Sequence, residues 1–216
     1  MTKIIEKIKA RRVRRLREEK KSKLASVEKK TTHNQKLPHG WYYSFEFFPP
    51  KTESGFDNLL TRIDRMSSKL DPLFIDVTWG EAGSTSARSI AVAVHAQRYC
   101  GVDVLLHLTC TGVTREQIAA YLQQAKSHGI HNILVLRGDP PRGIRGWEQG
   151  SVSGGDCDRA IDLIKLIRNL HGSYFCIACA GHPEGHPASL SIEEEMQCLK
   201  EKVESGTLDL SHSLQN

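Results

Sequence analysis

Five times in succession the chain passes from a short, nearly continuous apolar run into a longer segment whose apolar residues recur at helical spacing. "WYYSFEFF" leads into "FDNLLTRIDRMSSKL", where Phe56, Leu59, Leu60, Ile63, Met66 and Leu70 share one stripe. "PLFIDVTW" leads into "ARSIAVAVHAQRYCG", and "VDVLLHLTC" into "TREQIAAYLQQAKSHG", which Thr114 and Gln117 open as a capping box and Gly129 closes. "HNILVLRGD" leads into "DRAIDLIKLIRNLHG", with Ala160, Leu163, Ile164, Ile167 and Leu170 on one face. "YFCIACAGH" leads into "SIEEEMQCLKEKVESG", opened by Ser191 and Glu194. Unbroken apolar strands are covered on both faces, and their alternation with helices dictates a parallel sheet, doubly wound or closed as a barrel. No G-x-G-x-x-G follows the first strand, which weighs against a dinucleotide-binding Rossmann unit.

Outside this pattern lies a basic N-terminal extension, residues 1–38. Its first thirty residues hold thirteen of the thirty Lys and Arg and four of the twenty-five acids, so the remainder is slightly acidic. Ile4, Ile5, Ile8, Val13 and Leu16 make no continuous stripe, so a solvated helical or disordered arm is expected. The arm lacks the aromatics of a nucleic-acid surface, and its several acids argue against a mitochondrial presequence. With no secretory signal and no apolar run near 18 residues, a cytoplasmic protein without a membrane partner is expected. Six cysteines follow no disulfide framework. Cys176 and Cys179 spell C-x-x-C, but on a strand they face opposite sides, so no metal is expected there.

Chemistry-bearing residues collect at the strand ends. Glu46 ends the first, Thr78 the second and His107 the third; Arg137 and Asp139 end the fourth, and His182 and His186 follow the fifth. Each has a structural reading when taken singly: an ordinary strand threonine, a hydrogen-bonded core imidazole, a cap before Pro140. In a parallel barrel, however, these ends converge on the face that carries active sites. Glu46 is the odd member. In "SFEFFPPK" it alternates with Phe45 and Phe47, and such a carboxylate either faces solvent or has its proton affinity raised by burial.

Together "SFEFFPPK", "DVTWGEAGSTS", "HLTC", "LRGDPP" and "AGHPEGHP" resemble methylenetetrahydrofolate reductase of eukaryotic type, over about Trp41 to Gly206. The resemblance implies a (β/α)8 barrel with FAD that uses NADPH or NADH to reduce 5,10-methylenetetrahydrofolate to 5-methyltetrahydrofolate, in one-carbon and methionine metabolism. It makes Glu46 the general acid that protonates N10 of the folate, with Phe45, Phe47 and the flavin desolvating it. It places the nicotinamide beside Glu46, Phe47, Phe48, Pro49, Pro50 and Lys51. Flavin contacts are implied for Thr78, Trp79, His107, Arg137, Gly138, Asp139, Arg159, Ala160, Ala180, His182, His186, Pro187, Ala188, Ser189, Glu195 and Lys202. Asp139 additionally faces the pterin, where a carboxylate accepts its N–H groups.

Three positions depart from the family pattern: Arg159 stands for an aromatic, His182 for a tyrosine and Glu195 for an aspartate. After Gly206, where the family continues into a sixth strand, residues 207–216 read as a polar tail. A five-unit part of the barrel (residues 39–206) is therefore expected, as in a truncated or spliced product, lacking the regulatory domain that binds S-adenosylmethionine. Weak FAD affinity and little turnover follow from its open edges. The competing expectation is an inactive partner of full-length subunits in a homo-oligomeric family, and a third is a basic-arm binder of nucleic acid or a membrane surface.

Overall fold

The computed structural model describes residues 3–25, 42–80, 85–138, 157, 159–182 and 191–207. An N-terminal helix α1 (Ile4–Ala25) precedes β1 (Ser44–Phe47), α2 (Glu53–Leu70), β2 (Phe74–Val77), α3 (Ser86–Arg98), β3 (Val104–Thr109), α4 (Arg115–Ser127), β4 (Asn132–Leu136), α5 (Ala160–His171), β5 (Cys176–Cys179) and α6 (Ile192–Glu204). Helix boundaries follow local chemistry. The Thr52 hydroxyl accepts the Gly55 N–H at the start of α2, and Asp71 closes that helix in the left-handed region. Thr114 and Gln117 form the reciprocal box at α4, and the Ser191 hydroxyl accepts the Glu194 N–H at α6.

The five strands are parallel and lie in the order β1-β2-β3-β4-β5. A doubly wound sheet reverses strand order at its switch point; this one does not. Phe47, Ile75, Val77, Leu106, Leu108, Ile133, Val135, Ile177 and Cys179 point to one face, where they form a single core with residues of α2 to α5. The other face carries a smaller cluster of Phe74, Leu105, Leu134 and Ala178, joined by Leu73. Helices on one side of a sequentially ordered parallel sheet are the layering of a (β/α) barrel wall. Cys176 and Cys179 do fall on opposite sides of β5, and no disulfide joins any of the six cysteines.

The N-terminal arm departs from the expected solvated extension at its beginning. Ile4 is 0 % exposed and completes the smaller cluster, with Ile8 beside it. Its backbone N–H donates to Asn132 Oδ1 at 2.9 Å, and the Asn132 amide donates to the Val104 carbonyl at 3.2 Å. Lys3 reaches the Ser173 carbonyl, and Lys7 pairs with buried Asp103. These partners lie at the N-terminal ends of the strands, so α1 stoppers the end of the sheet opposite the candidate site. One deeply buried isoleucine creates no periodic stripe, which is why hydrophobic patterning does not expose it. Farther along, Val13 and Leu16 are exposed as expected.

Candidate active site

Parallel pairing aligns Glu46 of β1 with Asp76 of β2, and β3 continues the register. By strand alternation Glu46, Asp76, Thr78, His107 and Thr109 share the face opposite the helix layer. His107 sits between two carboxylates: its Nδ1 is 3.8 Å from Glu46 Oε1 and its Nε2 is 3.6 Å from Asp76 Oδ1. The imidazole and Asp76 are buried, whereas 29 % of the Glu46 side chain remains accessible. Both separations exceed a direct hydrogen bond, and His107 Nε2 and Asp76 Oδ1 are buried without hydrogen-bond partners. Such atoms carry a desolvation cost until a ligand or water satisfies them.

Glu46 is not enclosed in the manner expected. Phe47 lies in the helix-side core and Phe45 packs against it, so alternation turns both rings away from the carboxylate. What faces Glu46 within the chain is His107. Asp76 escaped the sequence reading altogether. The available signal was a single acid inside the apolar run "PLFIDVTW", two residues before Thr78 and hence on the same face.

Hydrogen bonds stitch the strand ends together. The Thr78 N–H and hydroxyl both donate to the Phe47 carbonyl, at 3.1 and 3.4 Å, while the Thr78 carbonyl accepts from the Ser89 hydroxyl at 2.8 Å. The Arg137 carbonyl accepts the Cys110 and Thr111 N–H groups and the Thr111 hydroxyl. Gly138 follows at φ +90°, and a Cβ there would lie 3.0 Å from Thr109 Cβ, so both conformation and contact demand glycine. After β5 the Ala180 carbonyl accepts from Lys202 Nζ at 3.1 Å, bringing a cation of α6 to that strand's end.

Other expected residues are distributed differently. Trp79 packs edge-on against Tyr121 in the helix-side core, ring centroids 5.1 Å apart, away from Glu46 and His107. Its position follows from alternation: the residue after Thr78 must face the helices. Ala160 packs against the same core, and Arg159 is the exposed N-cap of α5, its N–H donating to Asp162 Oδ2 at 3.0 Å. His182 is half-buried, and Glu195 lies in the first turn of α6. In the "FFPPK" stretch Phe48 and Lys51 are exposed, Pro49 and Pro50 are half-buried, and Arg88 Nη1 donates to the Pro50 carbonyl at 3.1 Å. Asp139, His186, Pro187, Ala188 and Ser189 lie outside the described residues. No described helix is long and apolar enough to cross a membrane.

Comparison with known proteins gives the family. The sequence profile of the methylenetetrahydrofolate reductase family matches residues 32–210. Methylenetetrahydrofolate reductase 2 of Schizosaccharomyces pombe is 47% identical over 178 residues, covering 79% of this chain and 27% of the relative. Methylenetetrahydrofolate reductase (NADH) 1 of Arabidopsis thaliana is 43% identical over 173 residues, covering 76% and 28%. The 5,10-methylenetetrahydrofolate reductase of Pectobacterium carotovorum is 35% identical over 164 residues, covering 76% of this chain and 51% of its own. The chain thus spans between about a quarter and half of these relatives' lengths. With parallel strands in sequential order, helices on one face and a strand-end cluster around His107, the chain belongs to the methylenetetrahydrofolate reductase family.

Proposed function

We propose that this chain supplies part of a flavin-dependent site at which 5,10-methylenetetrahydrofolate is reduced to 5-methyltetrahydrofolate by NADH or NADPH. The observation that carries the reading is the convergence of Glu46, Asp76 and His107 on one face of three adjacent strands. Relatives named for both NADH and NADPH support a nicotinamide reductant without selecting one.

The residues present fit FAD. A buried imidazole nitrogen and a buried carboxylate oxygen without hydrogen-bond partners match the polar edge of a heteroaromatic ring. Gly138 keeps the β4 end free of a side chain, and Lys202 offers a cation suited to phosphate beside Ala180. When bound, the flavin supplies hydride chemistry. The chain's own work is proton handling and orientation. Glu46 holds the proton that is donated to N10 of the folate, opening its methylene bridge. His107 Nδ1 faces that carboxylate and Asp76 faces the opposite ring nitrogen, so the imidazole lies between two carboxylates. Thr78, bonded back to β1, holds the adjoining strand ends in register. Asp139 and residues 186–189 complete the proposed folate and flavin contacts.

Among the described residues β1 and β5 each pair on one side only, so the isolated chain is expected to bind FAD weakly and turn over slowly. Titration of FAD followed by flavin fluorescence tests the site without requiring turnover. Quenching that saturates, and that His107→Ala weakens tenfold or more, supports the reading. An absence of quenching, or quenching indifferent to His107→Ala, overturns it.

A further inference from the structure

On the helix layer, on the opposite face of the sheet from the strand-end cluster, three side chains of different chemistry meet. Asp64 projects from α2, His95 from the last turn of α3, and Cys100 from the residues just after that helix. His95 Nε2 and Asp64 Oδ1 are 2.8 Å apart, and the Cys100 thiol donates to the same oxygen at 3.0 Å. The nitrogen, oxygen and sulfur all lie within 4.8 Å of one another. The Tyr99 ring lies tilted against His95, ring centroids 5.2 Å apart.

The cluster opens onto a surface pocket of about 190 Å3 lined by Asp64, Ser67, Ser68, Tyr99 and Cys100. Ser67 Oγ is buried beside the Cys100 sulfur, toward which its hydroxyl can donate.

We infer that Asp64, His95 and Cys100 form a zinc site that ties α2 to the end of α3, with solvent as the fourth ligand. One sulfur, one imidazole nitrogen and one carboxylate oxygen suit zinc, whereas calcium and magnesium prefer oxygen alone. Tetrahedral zinc bonds of about 2.0–2.3 Å place ligand atoms roughly 3.3–3.6 Å apart. The present 2.8 and 3.0 Å separations therefore need to open by about half an ångström, which exposed Asp64 can accommodate. Binding is an exchange without redox change: the thiol proton leaves to solvent, and the sulfur, now a thiolate, bonds the metal. The same three groups latch the two helices through the Asp64 carboxylate when no metal is bound, so metal entry strengthens an existing junction.

The test uses the full chain, reduced and stripped with a chelator, then titrated with cobalt(II) as the spectroscopic stand-in for zinc. The expected result is a thiolate-to-cobalt charge-transfer band that saturates at one equivalent and is displaced by zinc. Cys100→Ala should abolish the band, and His95→Gln and Asp64→Asn should each weaken cobalt binding tenfold or more. Cys198→Ser, on α6, should leave the band unchanged. Zinc should raise the melting temperature of the wild type and not that of His95→Gln, a reading that survives if Cys100→Ala folds poorly. No thiolate band, a band retained in Cys100→Ala, or one lost in Cys198→Ser overturns the assignment.

Discussion

His131 and His171 occupy similar niches near the N-terminal end of β5. The His131 ring packs tilted against Tyr174, centroids 4.6 Å apart, and His171 meets Phe175 edge-on at 5.3 Å. Burial, aided by nearby positive charge, holds both below the ordinary imidazole value of 6.5; Lys3 contributes at His131 and Lys126 at His171. Each is protonated more readily in the unfolded chain. Their contribution is therefore complete above about pH 6.5 and is lost as pH falls from there toward their lower folded values. Melting temperatures at pH 7.5 and 5.5 should show a larger acid-side loss in the wild type than in the His131→Gln/His171→Gln double variant. Equal losses would refute this account. Individual residues were legible in sequence only in part. Glu46, Thr78 and His107 announce themselves as polar groups near apolar strand ends. Trp79 is drawn to the site only by the family resemblance, and the two-residue period of a strand turns it into the core; no spacing rule reveals which buried acid faces which imidazole.

The helices obey a different logic. For α2 and α5 the apolar stripe is visible in sequence, and for α4 the capping box and the closing Gly129, because each helix buries a repeating face against the sheet. For α1 the anchor is one side chain and one backbone N–H. Ile4→Ala should destabilise the chain by ~2–5 kcal/mol, the range for emptying a buried isoleucine. Leu16→Ala, at a position 52 % exposed, should change stability by less than about 0.5 kcal/mol. Urea unfolding monitored by tryptophan fluorescence distinguishes them; equal effects would mean that Ile4 does not anchor the helix. Arms of this kind evade pattern reading because a few long-range contacts, unlike a stripe, leave no period behind.

Taken as a molecule, the chain is asymmetric in how it treats its last helix. On α6, Ile192, Met196 and Val203 are exposed at helical spacing, at 59, 52 and 39 %. Leu199 alone on that stripe packs against the helix-side core. An apolar face of this sort promotes association. Sedimentation velocity across a concentration series should show self-association that the Met196→Lys/Val203→Lys variant reduces; a concentration-independent profile in the wild type would contradict it. The fold class was legible because five β–α alternations leave few arrangements, and sequential strand order then selected the barrel wall over the doubly wound sheet.

That order also has a kinetic corollary. Every strand pairs with its immediate successor, so the sheet assembles by closing one modest loop at a time. The contacts of the N-terminal arm are the exception: Ile4 bonds Asn132, 128 residues on, and Lys3 bonds Ser173, 170 residues on. They can form only after the fourth strand and the approach to the fifth are in place, and they close long loops for few contacts. The stopper is therefore the last piece to seat and the first to lift, and its opening uncovers Leu105 and Leu134 while the helix layer stays intact.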